Sequence, residues 1–265
     1  MKRLMYVMLC VSLGMVLCGN AIAASPAIDS AVITTRIWND NPTSIVTTSN
    51  LYPSSITIKD EQIVGVGWGN LHNFRLSADG GSTAASFANG DAFSFSSDVT
   101  ITGTAVSEAG LNVAPWWDGT GGGRLQIRAG ENGEIAAFGG RLPFYSFTGS
   151  QSLTYTLGAT VRLGVIYDPH ALSESNPATI EYLLTMGGTD YTSGAIAFDQ
   201  GNPLEGYGSW GMLNSAQVGG FFQPRVGAVA WEQVEFGDMV YSPVPEPATM
   251  ALLGLGSLFL ARRRK

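Results

Sequence analysis

The sequence predicts an all-β protein: two antiparallel sheets packed face to face as a β-sandwich, jelly-roll or concanavalin-like in outline. Three observations predict it. Long helical periodicity is missing from residues 24–242. Short runs there alternate apolar and polar residues with period two. Clusters of Gly, Asn, Asp, Ser and Pro separate the runs, and the chain holds 34 glycines. A right-handed β-helix is the competing architecture, and the lack of a repeat of constant period argues against it.

The first clear run places Phe93 and Phe95 between serines and continues through Val99 and Ile101. In RLQIRAG, Leu125 and Ile127 face one way and Arg124, Gln126 and Arg128 the other. Asn132-Gly133 is a favoured hairpin turn, so Glu134 to Phe138 should return beside that strand. LTYTL, residues 153–157, reads as the next strand. VRLGVIY follows, with Val161, Leu163, Val165 and Tyr167 on one face, and stops at Asp168-Pro169. TIEYLLTM groups Ile180, Tyr182, Leu184 and Met186 opposite Leu183. AVAWEQVEF places Ala230, Glu232, Val234 and Phe236 on one side and Trp231 and Glu235 on the other. Helix is expected only as one short turn between Pro169 and Glu174.

The two ends differ from this body. Lys2 and Arg3 precede an apolar run from Leu4 to Cys18, and Ala21-Ile22-Ala23 offers a small-x-small cleavage site. Residues 1–23 therefore read as a secretory signal peptide and 24–242 as the passenger domain. The last part, residues 243–265, holds Pro245-Glu246-Pro247, an apolar run over 248–261, and Arg262, Arg263, Arg264 and Lys265. As a helix the apolar run spans about 21 Å, short against a hydrocarbon core of about 30 Å. The basic end would stay on the cytoplasmic side of such a short transmembrane helix.

This ordered ending resembles the PEP-CTERM sorting signal of Gram-negative bacteria, in which a Pro-Glu-Pro motif, a short apolar helix and an arginine cluster follow one another. The resemblance implies a route. An exosortase, a membrane-embedded processing enzyme, would recognise the tail at the inner membrane and remove it near Pro245-Glu246-Pro247. The passenger would then reach the cell surface or the extracellular matrix, in cells that often make exopolysaccharide. The resemblance covers the tail alone and leaves the passenger unassigned.

Composition narrows the chemistry. Between Ser25 and Ser242 there are 8 basic and 20 acidic residues, a net charge of −12. Such a body repels a nucleic-acid backbone. Both cysteines, Cys10 and Cys18, lie in the leader, so the mature protein has neither disulfides nor thiolate chemistry. Two histidines, His72 and His170, cannot build a His-rich zinc site. HExxH, the Walker loop, the dinucleotide fingerprint and the G-x-S-x-G elbow are absent. Ser209, the serine nearest to an elbow, sits one residue late after Gly206.

Carbohydrate is the remaining theme. Trp116 and Trp117, followed by Asp118, and the Tyr207 and Trp210 pair in EGYGSWG are candidate ligand platforms, because indole faces suit sugar C–H surfaces. The competing reading packs these rings into the sandwich ends. Glycoside hydrolysis needs two carboxylates across a cleft. Glu232 and Glu235 face opposite ways on one strand, while Glu131, Glu134 and Glu181 have no evident partner. Asp190, Asp199 and Glu205 lie in connections that suit calcium, without a recognisable ligand spacing. The expectation is a non-catalytic surface or matrix protein with a carbohydrate-binding role, needing no cofactor. The alternative is an extracellular carbohydrate-active enzyme, a hydrolase or lyase, on the same sandwich.

Overall fold

In a computed structural model of the chain, the described residues are 25–38, 41–63, 67–104, 106–113, 123–130, 132–140, 142–199, 208–225 and 230–244. The expected signal peptide, residues 1–23, and the expected apolar helix over 248–261 lie outside them. Among the described residues no helix is long and apolar enough to cross a membrane.

Two seven-stranded antiparallel sheets form the sandwich. Sheet A runs β1 (Ser30–Trp38), β4 (Leu71–Ser77), β13 (Val218–Pro224), β6 (Ser107–Val113), β7 (Gly123–Ala129), β8 (Ile135–Phe138) and β9 (Tyr145–Ser146). Sheet B runs β12 (Thr189–Ala197), β11 (Thr179–Met186), β10 (Thr160–Asp168), β5 (Phe93–Gly103), β14 (Ala230–Pro243), β3 (Ser55–Ile63) and β2 (Ile45–Leu51). The alternation expected of β5, β7, β10, β11 and β14 is observed, and each sends its apolar side into one shared core. Val161, Leu163, Val165 and Tyr167 are all buried, as are Ile180, Tyr182 and Leu184.

Aromatic rings fill the space between the sheets. Phe74 of β4 meets Phe236 of β14 edge-on, with ring centroids 4.9 Å apart. Such a contact adds about 0.5–1.5 kcal/mol to the burial of the two rings. Gly220 of β13 lies beside them, and a Cβ there would come within 2.4 Å of Phe74 and 2.8 Å of Phe236. The missing side chain is therefore part of the packing. The β7–β8 hairpin follows the expected turn: Arg124 pairs with Phe138 and Ile127 with Ile135. Gly133 takes φ +63°, which that turn requires.

Two local expectations are corrected. LTYTL, residues 153–157, forms no strand. It carries the chain from sheet A to sheet B, and Tyr155 ties it down by accepting from Ile101 N–H at 2.9 Å and donating to Ala159 O at 2.8 Å. Helix appears at α1 (Phe147–Gln151), capped by the Ser146 hydroxyl accepting from Gly149 N–H, and not between Pro169 and Glu174. His72 is fully buried on the inner side of β4.

The His72 imidazole belongs to a polar cluster at one end of the core. Its Nδ1 accepts from Arg36 N–H at 3.3 Å, so Nε2 carries the proton and donates to Asp60 Oδ2 at 3.1 Å. Asn70 Nδ2 donates to the same oxygen at 2.7 Å. Burial alone would raise the Asp60 carboxyl, but hydrogen bonds from His72, Ser44 and Asn70 outweigh it, and its pKa falls below the ordinary value. A depressed carboxyl stabilises the fold above its unfolded pKa of about 3.9, and the contribution fades as pH drops through the lower folded value. Asp60→Asn should therefore cost about 1–3 kcal/mol at neutral pH. In urea titrations its deficit against wild type should shrink in acid; a deficit unchanged from neutral pH to about pH 3 would contradict this assignment.

Candidate functional site

The outer face of sheet A is the unusual surface of the molecule. Strand alternation puts polar side chains there, yet most are buried: Asn73, Arg75, Glu108, Asn112, Gln126 and Gln223 are each under 5% exposed. Pairing across the sheet arranges them in rows. One row reads Arg75, Gly219, Asn112, Arg124, Phe138. The next reads Asn73, Phe221, Gly110, Gln126, Ala136. A third reads Gln223, Glu108, Arg128. Three of the eight basic residues of an acidic body thus stand on one face.

Most of the network is satisfied. Arg124 Nη1 meets Glu108 Oε1 at 2.6 Å, and Arg128 Nη2 meets Glu108 Oε2 at 3.2 Å. Glu108 thereby spends both oxygens on guanidinium groups, which fixes it as a positioning residue. Arg124 also lies over the rings of Phe221 and Phe138, 5.0 and 5.6 Å from their centroids. Arg128 lies 5.5 Å from the Trp68 ring. Glu134 accepts from Gln126 Nε2 at 3.3 Å.

Arg75 differs. Its Nη1 donates to Asn112 Oδ1 at 2.8 Å, across β13 at the position where Gly219 has no side chain. Its Nε and Nη2 have no partner although they are buried. Neither do Asn73 Oδ1 and Gln126 Oε1 in the adjoining row. Burial lowers the Arg75 pKa to about 10, so the group is still a cation at neutral pH.

The residues singled out in the sequence lie elsewhere. Trp116, Trp117 and Tyr207 fall outside the described residues, as do Pro245, Glu246, Pro247, Arg262, Arg263 and Arg264. Trp210 is half-buried in the segment leading to β13, where its N–H donates to Leu172 O and its carbonyl accepts from Ala178 N–H. Ser209 accepts from Asn89 Nδ2, and His72 spends both ring nitrogens on Arg36 and Asp60. Glu232 is buried in the core, accepting from Thr104 N–H and the Ser107 hydroxyl, while Glu235 faces out. Asp190, on β12, accepts from Thr185 of β11, Asp199 lies past the other end of β12, and Glu205 is outside the described residues. Among the described residues no three His, Cys, Asp or Glu side chains gather as a metal site.

Sheet B carries an open trough of about 420 Å³ on its outer face, around Gly164, Glu181, Leu183, Asp190 and Tyr191. Its polar groups are mutually bonded: Thr192 donates to Glu181, Thr185 to Asp190, and Arg162 to Asp98 at the rim. No unsatisfied group points into it from the buried side chains of the described residues.

Residues 243–265 match the PEP-CTERM protein-sorting motif. The chain ends in an exosortase-type sorting signal. No curated protein matches the chain in sequence. Solved structures alike in fold include an alginate lyase of polysaccharide lyase family 7, at 9% identity and a TM-score of 0.42, covering 72% of this chain and 81% of the lyase. An alginate lyase from Aplysia kurodai is 12% identical, with a TM-score of 0.41 over 81% of this chain and 100% of its own. Peanut lectin is 13% identical, with a TM-score of 0.38 over 82% and 100%. The expectation that the protein is not an enzyme is corrected on this finding. Polysaccharide lyases stand among the folds it resembles, and the absence of compact motifs by itself excludes no catalysis on a β-sandwich.

Proposed function

We propose that the chain is an exported carbohydrate-active protein, with the outer face of sheet A as the face that meets glycan. The observation that carries this reading is the polar floor of that face: guanidinium groups, amides and aromatic rings in adjoining rows, with buried donors and acceptors left unpaired. Sugar recognition needs this mixture, because hydroxyls use both donors and acceptors and C–H faces rest on rings. Of the two forms this activity can take, the enzyme, a glycoside hydrolase or lyase, is favoured over a purely structural matrix role. A structural face gains nothing from unpaired buried polar atoms, each of which costs about 1–3 kcal/mol.

Incubation of the exported protein with a panel of acidic and neutral polysaccharides tests this. New reducing ends are expected from at least one of them. An unsaturated product seen by its ultraviolet absorbance would assign a lyase, and its absence a hydrolase. Binding without any new reducing ends would overturn the enzyme reading and leave a lectin-like one.

Sorting sets where that activity is delivered. Val244 N–H and the Ser25 hydroxyl both bond the carbonyl of Ala92, at 2.9 and 3.0 Å. The first residues after the leader and the last before Pro245 therefore leave the sandwich side by side. Both signals would engage one membrane, and an exosortase-type enzyme would release the body toward the surface or an exopolysaccharide matrix. Intact mass of the exported protein should show a start at Ala24 or Ser25 and no apolar tail. Retention of Arg262 to Lys265 would overturn removal of the tail.

A further inference from the structure

The Arg75 guanidinium presents an unusual pattern of used and unused donors. Nη1 is committed to Asn112 Oδ1. The unpaired atoms, Nε and Nη2, form the side-on edge of the guanidinium, whose two parallel N–H groups match the two oxygens of a carboxylate. No carboxylate pairs with Arg75 among the described residues, whereas Glu108 ties down both Arg124 and Arg128. A buried cation without a counter-charge is destabilising, and an apolar side chain in its place would avoid that cost. The neighbouring unpaired groups are acceptors, Asn73 Oδ1 and Gln126 Oε1, which suit hydroxyl donors. Gly219 and Gly110, one in each of the two rows, keep the floor low between them.

We propose that Arg75 is the carboxylate clamp of this face, and that the glycan it takes is an acidic one, built from uronic-acid residues. Arg75 Nε and Nη2 hold the sugar carboxylate side-on, and Asn73 and Gln126 accept from its hydroxyls. Asn112 is a positioning residue: it holds Nη1 and leaves the buried Nε–Nη2 edge uncommitted. This rests on the reading that the outer face of sheet A is the glycan face, and it adds the substrate class. The body as a whole is acidic, so an acidic chain would be repelled elsewhere, and the clamp would fix where it docks.

The test titrates the full exported protein with three probes: oligogalacturonate, the same oligosaccharide with its carboxyls reduced to alcohols, and oligoglutamate of equal length. Oligogalacturonate is expected to bind at least about tenfold tighter than its reduced form, the size of a charge-assisted hydrogen-bond pair. Oligoglutamate should not bind, because it lacks the hydroxyls that Asn73 and Gln126 accept. Arg75→Gln should erase the preference for the acidic form and leave the reduced form's affinity in place. Arg75→Lys keeps the charge and loses the fork; it should keep less than a third of the preference, and it decides the matter if the glutamine variant does not fold. Preserved discrimination in a folded Arg75 variant would overturn the clamp. Equal binding of acidic and reduced forms by wild type would overturn the substrate class while sparing the glycan face. Binding of oligoglutamate as tightly as oligogalacturonate would overturn the sugar in favour of an acidic peptide. Binding of none of the probes would sink the glycan face itself.

Discussion

Both sides of sheet A depend on the glycine pair Gly219-Gly220 in β13. Gly220 faces the core, where a Cβ would collide with the Phe74 and Phe236 rings that join the two sheets. Gly219 faces outward, where its bare backbone lets Arg75 cross β13 and reach Asn112 on β6. Its own Cβ would come within 2.0 Å of Phe74 O on β4. Neighbouring residues of β4, Phe74 and Arg75, thus each use one of the two glycines. The Phe74–Phe236 contact between the sheets and the polar floor outside them are fixed by the same pair. Adding a side chain at either position forces strand or ring to move, and interiors packed to this density yield little.

The two sheets serve different ends. Sheet B has one buried side and one side of threonines, serines and charged residues open to solvent, as antiparallel sheets commonly do. Sheet A is buried on both sides across β4, β6 and β13, and its outer side is polar. Burial of polar groups is tolerable only where hydrogen bonds replace water. Glu108, Arg124 and Arg128 meet that condition among themselves. Arg75, Asn73 and Gln126 each keep a buried polar atom without a partner, and they stand in two adjoining rows.

Strands with one apolar and one polar side were legible in the sequence, since period two is visible only when the two sides differ. Phe93 to Ile101, Val161 to Tyr167 and Ile180 to Leu184 show this. β4, β6 and β13 were not, because LHNFRLS, SEAGLNV and VGGFFQP place glycines and polar groups on buried sides and set Phe221 beside Phe222. Those strands carry much of the candidate site. A signal was present: Arg75, Arg124 and Arg128 each stand next to buried apolar residues in strand rhythm, in a body poor in basic residues. The reading of LTYTL as a strand failed for the opposite reason. Its alternation is real, but Tyr155 serves a crossing between sheets, where no neighbouring strand is available to complete a ladder.

The central claim is that the unpaired edge of Arg75 receives a sugar carboxylate. A crystal structure of the exported protein with a bound uronic-acid oligosaccharide tests it most directly. The account predicts one carboxylate with its two oxygens at hydrogen-bond distance from Arg75 Nε and Nη2, and the sugar hydroxyls turned toward Asn73 and Gln126. An oligosaccharide seated in the trough around Gly164 and Tyr191, with Arg75 untouched, would contradict it.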